Sequence, residues 1–325
     1  MINMENGPIL QIKDLKKYYA VTTGLIKRKL GEVRAVDGVS LTIAQGEVFG
    51  LVGESGCGKS TLGKTILRLE EPTSGEIIFN GADVVKLNKQ ELRGLRGKVQ
   101  IVFQDPDSSL DPRMTVGDSI EEALIIHGVS NSGERSDRVA GLMQKVGLEA
   151  EFGERYPHEF SGGMRQRVGI ARALAMNPQL IIADEPVSAL DVSVQAQILN
   201  LLMDIKERDG LAYMFVSHDL SVVKYISDRV GVMYLGKIME VAEKAEFFGN
   251  PLLPYTEALL SAIASLRPSG KDRIIIKGDV PSPLRMPSGC RYHTRCHRVM
   301  PVCSQVEPQL VEHSPGHFVA CHLYD

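Results

Sequence analysis

The chain has 325 residues, 43% hydrophobic and 24% charged, with 37 Lys and Arg against 40 Asp and Glu for a net charge of −3. That length holds a sizeable core with room for more than one domain, and the near-neutral balance excludes a global field that recruits nucleic acid or anionic lipid. No apolar run approaches bilayer-spanning length, and Met1–Gly7 has neither the basic nor the apolar region of a signal peptide, so the expectation is a cytosolic chain that reaches a membrane by docking on another protein.

In chain order, Ile9-Leu10-Gln11-Ile12 alternates like a strand and Val33 to Ile43 forms a second such segment. Between them, Ala20 to Gly31, with Lys27, Arg28 and Lys29, reads as a surface excursion. The aromatic residues that precede it are suited to stack on a nucleotide base or to pack on an edge strand. Glu47 to Val52 reads as a buried strand, followed by Gly53-Glu54-Ser55-Gly56-Cys57-Gly58-Lys59-Ser60-Thr61. This stretch fits G-x-x-x-x-G-K-[ST], a phosphate-binding loop whose glycines let backbone N–H groups turn inward. Lys59 adds a cation for the outer phosphates, Ser60 a hydroxyl for Mg²⁺, and a helix from Lys59 to about Leu69 aims its positive end at the anion. Cys57 is a small loop residue.

Pro72-Thr73-Ser74-Gly75 marks a turn, and Glu76 to Phe79 followed by Asn80-Gly81 predicts a hairpin. Val99 to Phe103 is the next buried strand, ending at Gln104. From Asp105 to about Phe160 helical patterns dominate, over Val116 to Ile126 and Ser136 to Val146, with a turn at Asn131-Ser132-Gly133. This is a helical insertion in an α/β core. Ser161-Gly162-Gly163 then opens a helix as its cap, suited to a second anion or simply to capping. Leu180 to Ala183 is continuously apolar, as a parallel strand buried on both faces should be, with Asp184 and Glu185 at its carboxyl end. Asp184 is placed to hold the Mg²⁺ shell and Glu185 to activate a water. Ser188 to Asp191 turns into another helix; Leu211 to Val216 is a strand ended by Ser217-His218-Asp219, and Arg229 to Leu235 and Lys237 to Val241 close the core around Gly236.

Together and in this order, these residues resemble the ATP-binding-cassette (ABC) ATPase family over roughly residues 8–245. The resemblance implies an α/β fold with a P-loop NTPase core of ABC ATPase type and a helical subdomain at about 105–178. Residues 1–245 would form the nucleotide-binding domain and 246–325 a small C-terminal cysteine-containing extension. By position, Tyr19 resembles the aromatic that stacks on adenine, with Tyr18 a substitute, and Gln104 the glutamine that senses Mg²⁺ and couples to the transporter. Ser161-Gly162-Gly163 resembles the signature that contacts ATP held by the partner subunit, although Met164 stands where the family commonly has Gln. Asp184 resembles the Mg²⁺-associated aspartate, Glu185 the catalytic base, Asp191 the dimer-interface aspartate and His218 the switch histidine. The implied cofactors are ATP and Mg²⁺, and the implied mechanism is hydrolysis of two ATPs sandwiched between two cassettes.

Asn250-Pro251, Pro254 to Ala262 and Gly278-Asp279-Val280-Pro281-Ser282-Pro283 resemble the extension of dipeptide/oligopeptide import ATPases, as does Asp105-Pro106 to Leu110-Asp111-Pro112-Arg113. That branch implies a peripheral subunit on the cytoplasmic face of the membrane, powering import of di- or oligopeptides. Other members carry nickel or oligosaccharides. The implied partners are a paralogous ATPase subunit, two transmembrane permeases and a substrate-binding protein, with no nucleic acid. Cys290, Cys296, Cys303 and Cys321 have neither zinc-finger nor ferredoxin spacing. In this branch such cysteines resemble ligands of a [4Fe–4S] cluster; thiolate softness also admits zinc, with His293, His297 or His322 as further ligands, or no metal at all.

Overall fold

The computed structural model describes residues 7–23, 28–105, 109–264 and 274–325. Met1–Asn6, Lys27 and Pro106 of the segments above lie outside these. The strands are β1 (Leu10–Thr23), β2 (Arg28–Ile43), β3 (Val48–Val52), β4 (Ser74–Phe79), β5 (Ala82–Asp83), β6 (Val99–Val102), β7 (Leu180–Asp184), β8 (Ala212–Val216), β9 (Arg229–Tyr234), β10 (Lys237–Glu243), β11 (Val311–Ser314) and β12 (His317–Val319). The α-helices are α1 (Lys59–Ile66), α2 (Lys89–Lys98), α3 (Val116–Ile126), α4 (Ser132–Lys145), α5 (Gly162–Leu174), α6 (Val192–Asp209), α7 (Leu220–Ile226), α8 (Lys244–Gly249) and α9 (Pro254–Ala264). No helix among the described residues is long and apolar enough to cross a membrane.

Two compact units emerge. One contains the described residues of 7–9, Ala44–Glu47 and Lys86–Val216. In it β6, β7 and β8 run parallel, aligning Val102 with Ala183 and Ala183 with Phe215. β7 and β8 are buried along their whole length, which is why both read as unbroken apolar runs. Helices α3, α4 and α5 contact one another pairwise, and Ile120, Leu124, Met143 and Ile170 on them are fully buried. Helix α4 begins at Ser132, four residues before the sequence pattern suggests, because the Asn131 side chain accepts the Glu134 N–H at 3.1 Å and caps it there.

The other unit contains Leu10–Ile43, Val48–Val85 and Ser217–Asp325. β1 pairs antiparallel with both β2 and β4, and β5 completes a sheet in the order β2-β1-β4-β5. Of the segment read as a surface excursion, residues 20–23 and 28–31 continue β1 and β2, with Ala20 paired to Glu32 and Val21 to Gly31, and 24–27 lie outside the described residues. The Asn80-Gly81 turn has φ of 47° and 78°, the left-handed pair that a two-residue hairpin demands. β3 lies parallel to β9, and β10 and β12 continue that side as antiparallel strands. Helix α1 stops at Ile66, short of Leu69, and Arg68 follows in the left-handed region at φ 48°. The residues after 245 do not stand apart: they share this unit with β1 to β5 and the phosphate-binding loop.

Candidate functional site

The loop between β3 and α1 owes its shape to glycines that no other residue could replace. A Cβ on Gly53 would sit 2.2 Å from the Met233 carbonyl oxygen, and one on Gly58 would sit 2.0 Å from that of Ala35. Both also have positive φ, 151° and 110°. Gly58 precedes α1 directly and leaves its first N–H groups facing the loop. Lys59 is only 5% exposed, and its ammonium donates to the carbonyls of Gly53 at 2.8 Å and Glu54 at 3.1 Å. It therefore stands over the loop, held by two weak acceptors that anionic oxygens can displace. Ser55 and Gly56 are exposed and Ser60 and Thr61 half-buried along the same rim. Cys57 faces inward, and burial pushes its thiol pKa up, against the pull of Lys59, so it is no nucleophile.

Tyr19 is exposed at 36%, with the Lys17 ammonium 4.7 Å from its ring centroid. Tyr18 is otherwise employed. Its hydroxyl donates to Asp37, and burial followed by that bond pushes its pKa up to about 12. Of the two tyrosines, Tyr19 is the one free to offer a face to a base. His218 is exposed just beyond Ser217, whose N–H donates to the Leu51 carbonyl at 3.1 Å and so fixes this end to β3.

In the first unit, Asp184 is 5% exposed at the end of β7, and Glu185 follows, half-buried. Glu185 adopts φ 49°, an uncommon conformation for a residue with a Cβ, and its N–H donates to the Val216 carbonyl at 3.0 Å. Strain of this kind persists where the surroundings over-determine the backbone, and it clusters at functional sites. Gln104 is exposed past the end of β6. Ser161 is exposed and caps α5, its hydroxyl accepting the Met164 N–H at 3.4 Å. Gly163 lies so near α6 that a Cβ would be 2.4 Å from Val194 Cγ1. Asp191 caps α6, accepting from Val194 N–H at 3.0 Å and from the Ser193 hydroxyl at 2.6 Å; these bonds, Ser193 first, hold its carboxyl below the ordinary range.

Of the four C-terminal cysteines, Cys290 and Cys303 are joined through their backbones, the Cys290 N–H donating to the Cys303 carbonyl at 2.7 Å. Burial, and then the neighbouring thiols, push Cys290 and Cys321 up to about 11. Among the described residues, however, no group of three or more His, Cys, Asp or Glu is placed to hold a metal ion.

Sequence patterns gave no sign of the residues that grip the loop from the C-terminal side. Arg295 makes a two-pronged ion pair with Glu54, at 2.6 and 3.1 Å, and Tyr255 accepts the Glu54 N–H at 3.0 Å. Arg291 pairs with Asp37 and donates to the Leu235 carbonyl. These partners are more than 50 residues apart in sequence, and no periodicity encodes such pairs.

A strand, a glycine-shaped anion loop over a buried lysine, and a capped Ser-Gly-Gly helix define a nucleotide-hydrolysing cassette, and comparison with known proteins agrees. Residues 36–188 match the ABC transporter family and residues 239–303 the oligopeptide/dipeptide transporter C-terminal region. The chain is 54% identical over 320 residues to the oligopeptide transport ATP-binding protein AppF of Bacillus subtilis, covering 97% of each. It is 49% identical over 323 residues to the dipeptide transport ATP-binding protein DppF of Haemophilus influenzae, covering 99% of this chain and 98% of that one. Among solved structures, the ATP-binding cassette MJ0796, a dimer in a post-hydrolysis state with ADP and Pi, aligns with a TM-score of 0.64 at 32% identity, over 72% of this chain and 98% of that one. The chain belongs to the ABC transporter ATPases, in the group that carries the oligopeptide/dipeptide C-terminal region. ATP is its substrate and Mg²⁺ the accompanying ion; the oxygen donors Ser60, Gln104 and Asp184 are of the kind that Mg²⁺ takes.

Proposed function

We propose that this chain hydrolyses ATP to power the import of di- and oligopeptides, as a peripheral subunit on the cytoplasmic face of a membrane importer. The observation that carries this reading is similarity over essentially the whole length, extension included, to ATP-binding proteins of oligopeptide and dipeptide transport. Nickel or oligosaccharide is the alternative cargo.

In this reading Tyr19 stacks on adenine and the N–H groups from Gly53 to Thr61, Ser55, Gly56, Cys57 and Gly58 among them, surround the phosphates. Lys59 exchanges its two carbonyl acceptors for outer phosphate oxygens. By their resemblance to the family's residues, Ser60, Gln104 and Asp184 would hold Mg²⁺, which would supply charge neutralisation for the phosphates. Glu185 takes the proton of the attacking water and His218 hydrogen-bonds the γ-phosphate. Ser161, Gly162 and Gly163 contact the ATP of a second cassette, and Asp191 lies at the interface between the two. Met164 in place of the common glutamine leaves that contact to the backbone and Ser161. A solved cassette of the family that is described as a dimer supports the two-subunit arrangement. The nucleotide-binding domain spans 1–245, with its helical subdomain at about 105–178, and 246–325 is the extension.

The second cassette is a paralogue, and two permeases and a substrate-binding protein complete the importer. Affinity purification from native membranes tests this. Co-purification of two hydrophobic subunits and a second ATPase is expected, whereas recovery of the chain alone, with ATPase stimulated by nucleic acid, would overturn it. To the cysteine group we assign a [4Fe–4S] cluster rather than zinc. The assignment rests on the resemblance of Cys290, Cys296, Cys303 and Cys321 to the cysteines of the peptide-import branch; among the described residues no group of three or more His, Cys, Asp or Glu is placed to hold an ion. Iron, sulfide and zinc analysis of anaerobically purified protein decides it: four iron per chain is expected, and colourless protein with one zinc would overturn the assignment.

A further inference from the structure

The segment between Cys290 and Cys296 carries two arginines that point to opposite ends of the nucleotide site. Arg295, with a side chain 8% exposed, forms its paired bonds with Glu54, the second residue of the phosphate-binding loop. The same Glu54 is held through its backbone by the Tyr255 hydroxyl, on α9. Tyr255, Tyr234 and Tyr292 pack ring on ring, with centroids 4.9 to 5.3 Å apart, and Arg295 lies 3.4 Å from the Tyr234 hydroxyl. Burial opposes the Arg295 charge, but its bonds to Glu54 and Tyr234 outweigh that and raise its pKa. The Tyr292 hydroxyl and Arg295 Nε are buried in this set without a hydrogen-bond partner among the described residues.

Arg291 serves the other end. It is 5% exposed, pairs with Asp37 on β2, and Asp37 in turn accepts from the Tyr18 hydroxyl, one residue before Tyr19. It also donates to the Leu235 carbonyl; the next residue, Gly236, donates to the Cys57 carbonyl at 2.8 Å inside the loop. A guanidinium buried against a carboxylate is a costly arrangement to keep unless the geometry it fixes is used.

We propose that the C-terminal extension is a positioning element of the ATP site. Arg295 and Tyr255 set the phosphate-binding loop through Glu54, and Arg291 sets the adenine side through Asp37 and Tyr18. Neither arginine needs to touch the nucleotide. Each fixes the residue that precedes or flanks one that does, so its loss weakens ATP binding without removing a chemical group from hydrolysis.

The inference rests on the loop and Tyr19 forming the ATP site, and the experiment separates the two. In the full-length protein, Lys59→Ala abolishing ATP binding supports the site itself. Arg295→Ala is then expected to raise KM for ATP about tenfold while kcat stays within about twofold, as loss of a charge-assisted pair outside the chemistry should. Arg295→Lys recovers part of the loss, and Arg295→Ala combined with Glu54→Gln is no worse than Arg295→Ala alone. Inorganic tripolyphosphate, used as a competitor that lacks a base, weakens in parallel in Arg295→Ala and loses less potency in Arg291→Ala, which reaches the loop only through Leu235 and Gly236. Tyr255→Phe and Tyr18→Phe, which remove one hydroxyl each, give the same two signatures at smaller size should the arginine variants fail to fold. Unchanged KM in Tyr255→Phe and in folded Arg295→Ala would overturn the proposal, as would losses that multiply in the Arg295/Glu54 double variant.

Discussion

At the scale of single residues, Asp37 is a buried carboxylate held by Tyr18 and by Arg291, a partner distant in sequence. Burial works against its carboxylate, yet hydrogen bonds from Tyr18 and Arg291 outweigh that and hold its pKa below the ordinary value of 3.8. A depressed folded-state pKa stabilises the fold at pH values above the ordinary carboxylate range, and that contribution is lost as pH falls through the folded value. Thermal melts between pH 7 and pH 3 should therefore show wild type ahead of Asp37→Asn at neutral pH, with the gap closing below about pH 4. A gap that is constant across the range would contradict this. Residues of this kind were hidden in the sequence. Asp37 sits in a strand of ordinary alternation, and its partner Arg291 follows 254 positions later. Lys59, by contrast, was legible at once, because the glycines that shape its loop are neighbours in sequence.

Between elements, α5 and α6 meet closely at a glycine. Gly163 lies in the first turn of α5, and a Cβ there would meet Val194 Cγ1 at 2.4 Å. Gly163→Ala should cost about 1–3 kcal/mol in chemical denaturation through overpacking. Val194→Ala, which removes the obstructing methyl groups, should restore most of that loss in the double variant; additive losses would show that the helices do not meet as described. Sequence periodicity found α5, α6 and the buried strands, since each pattern is local. It misplaced the start of α4, where a single asparagine cap decides the boundary. It also took residues 20–31 as an excursion, because hairpin pairing depends on register with a distant neighbour and not on composition.

For the molecule as a whole, the question is what makes the C-terminal residues part of the phosphate-loop unit. Glu240, on β10 and 0% exposed, accepts N–H bonds from Leu252 at 2.8 Å and Leu253 at 3.2 Å and bonds the Thr256 hydroxyl and His317 Nε2. One carboxylate thus gathers α9, its approach and β12. Removing it strands several buried donors, so Glu240→Ala should lower stability by about 3 kcal/mol and raise hydrogen exchange throughout the extension. Exchange confined to β10 would argue against this role. The presence of an extension was legible from its Pro and Cys spacing; its attachment was not, because ion pairs spanning 241 residues leave no trace in composition. The central claim, that hydrolysis at this chain's loop drives peptide uptake, is tested most directly in cells lacking the chain. Uptake of a radiolabelled oligopeptide should return with the wild-type chain and stay at background with Glu185→Gln, although that variant still binds ATP. Full uptake with Glu185→Gln, or none with wild type, would contradict the account.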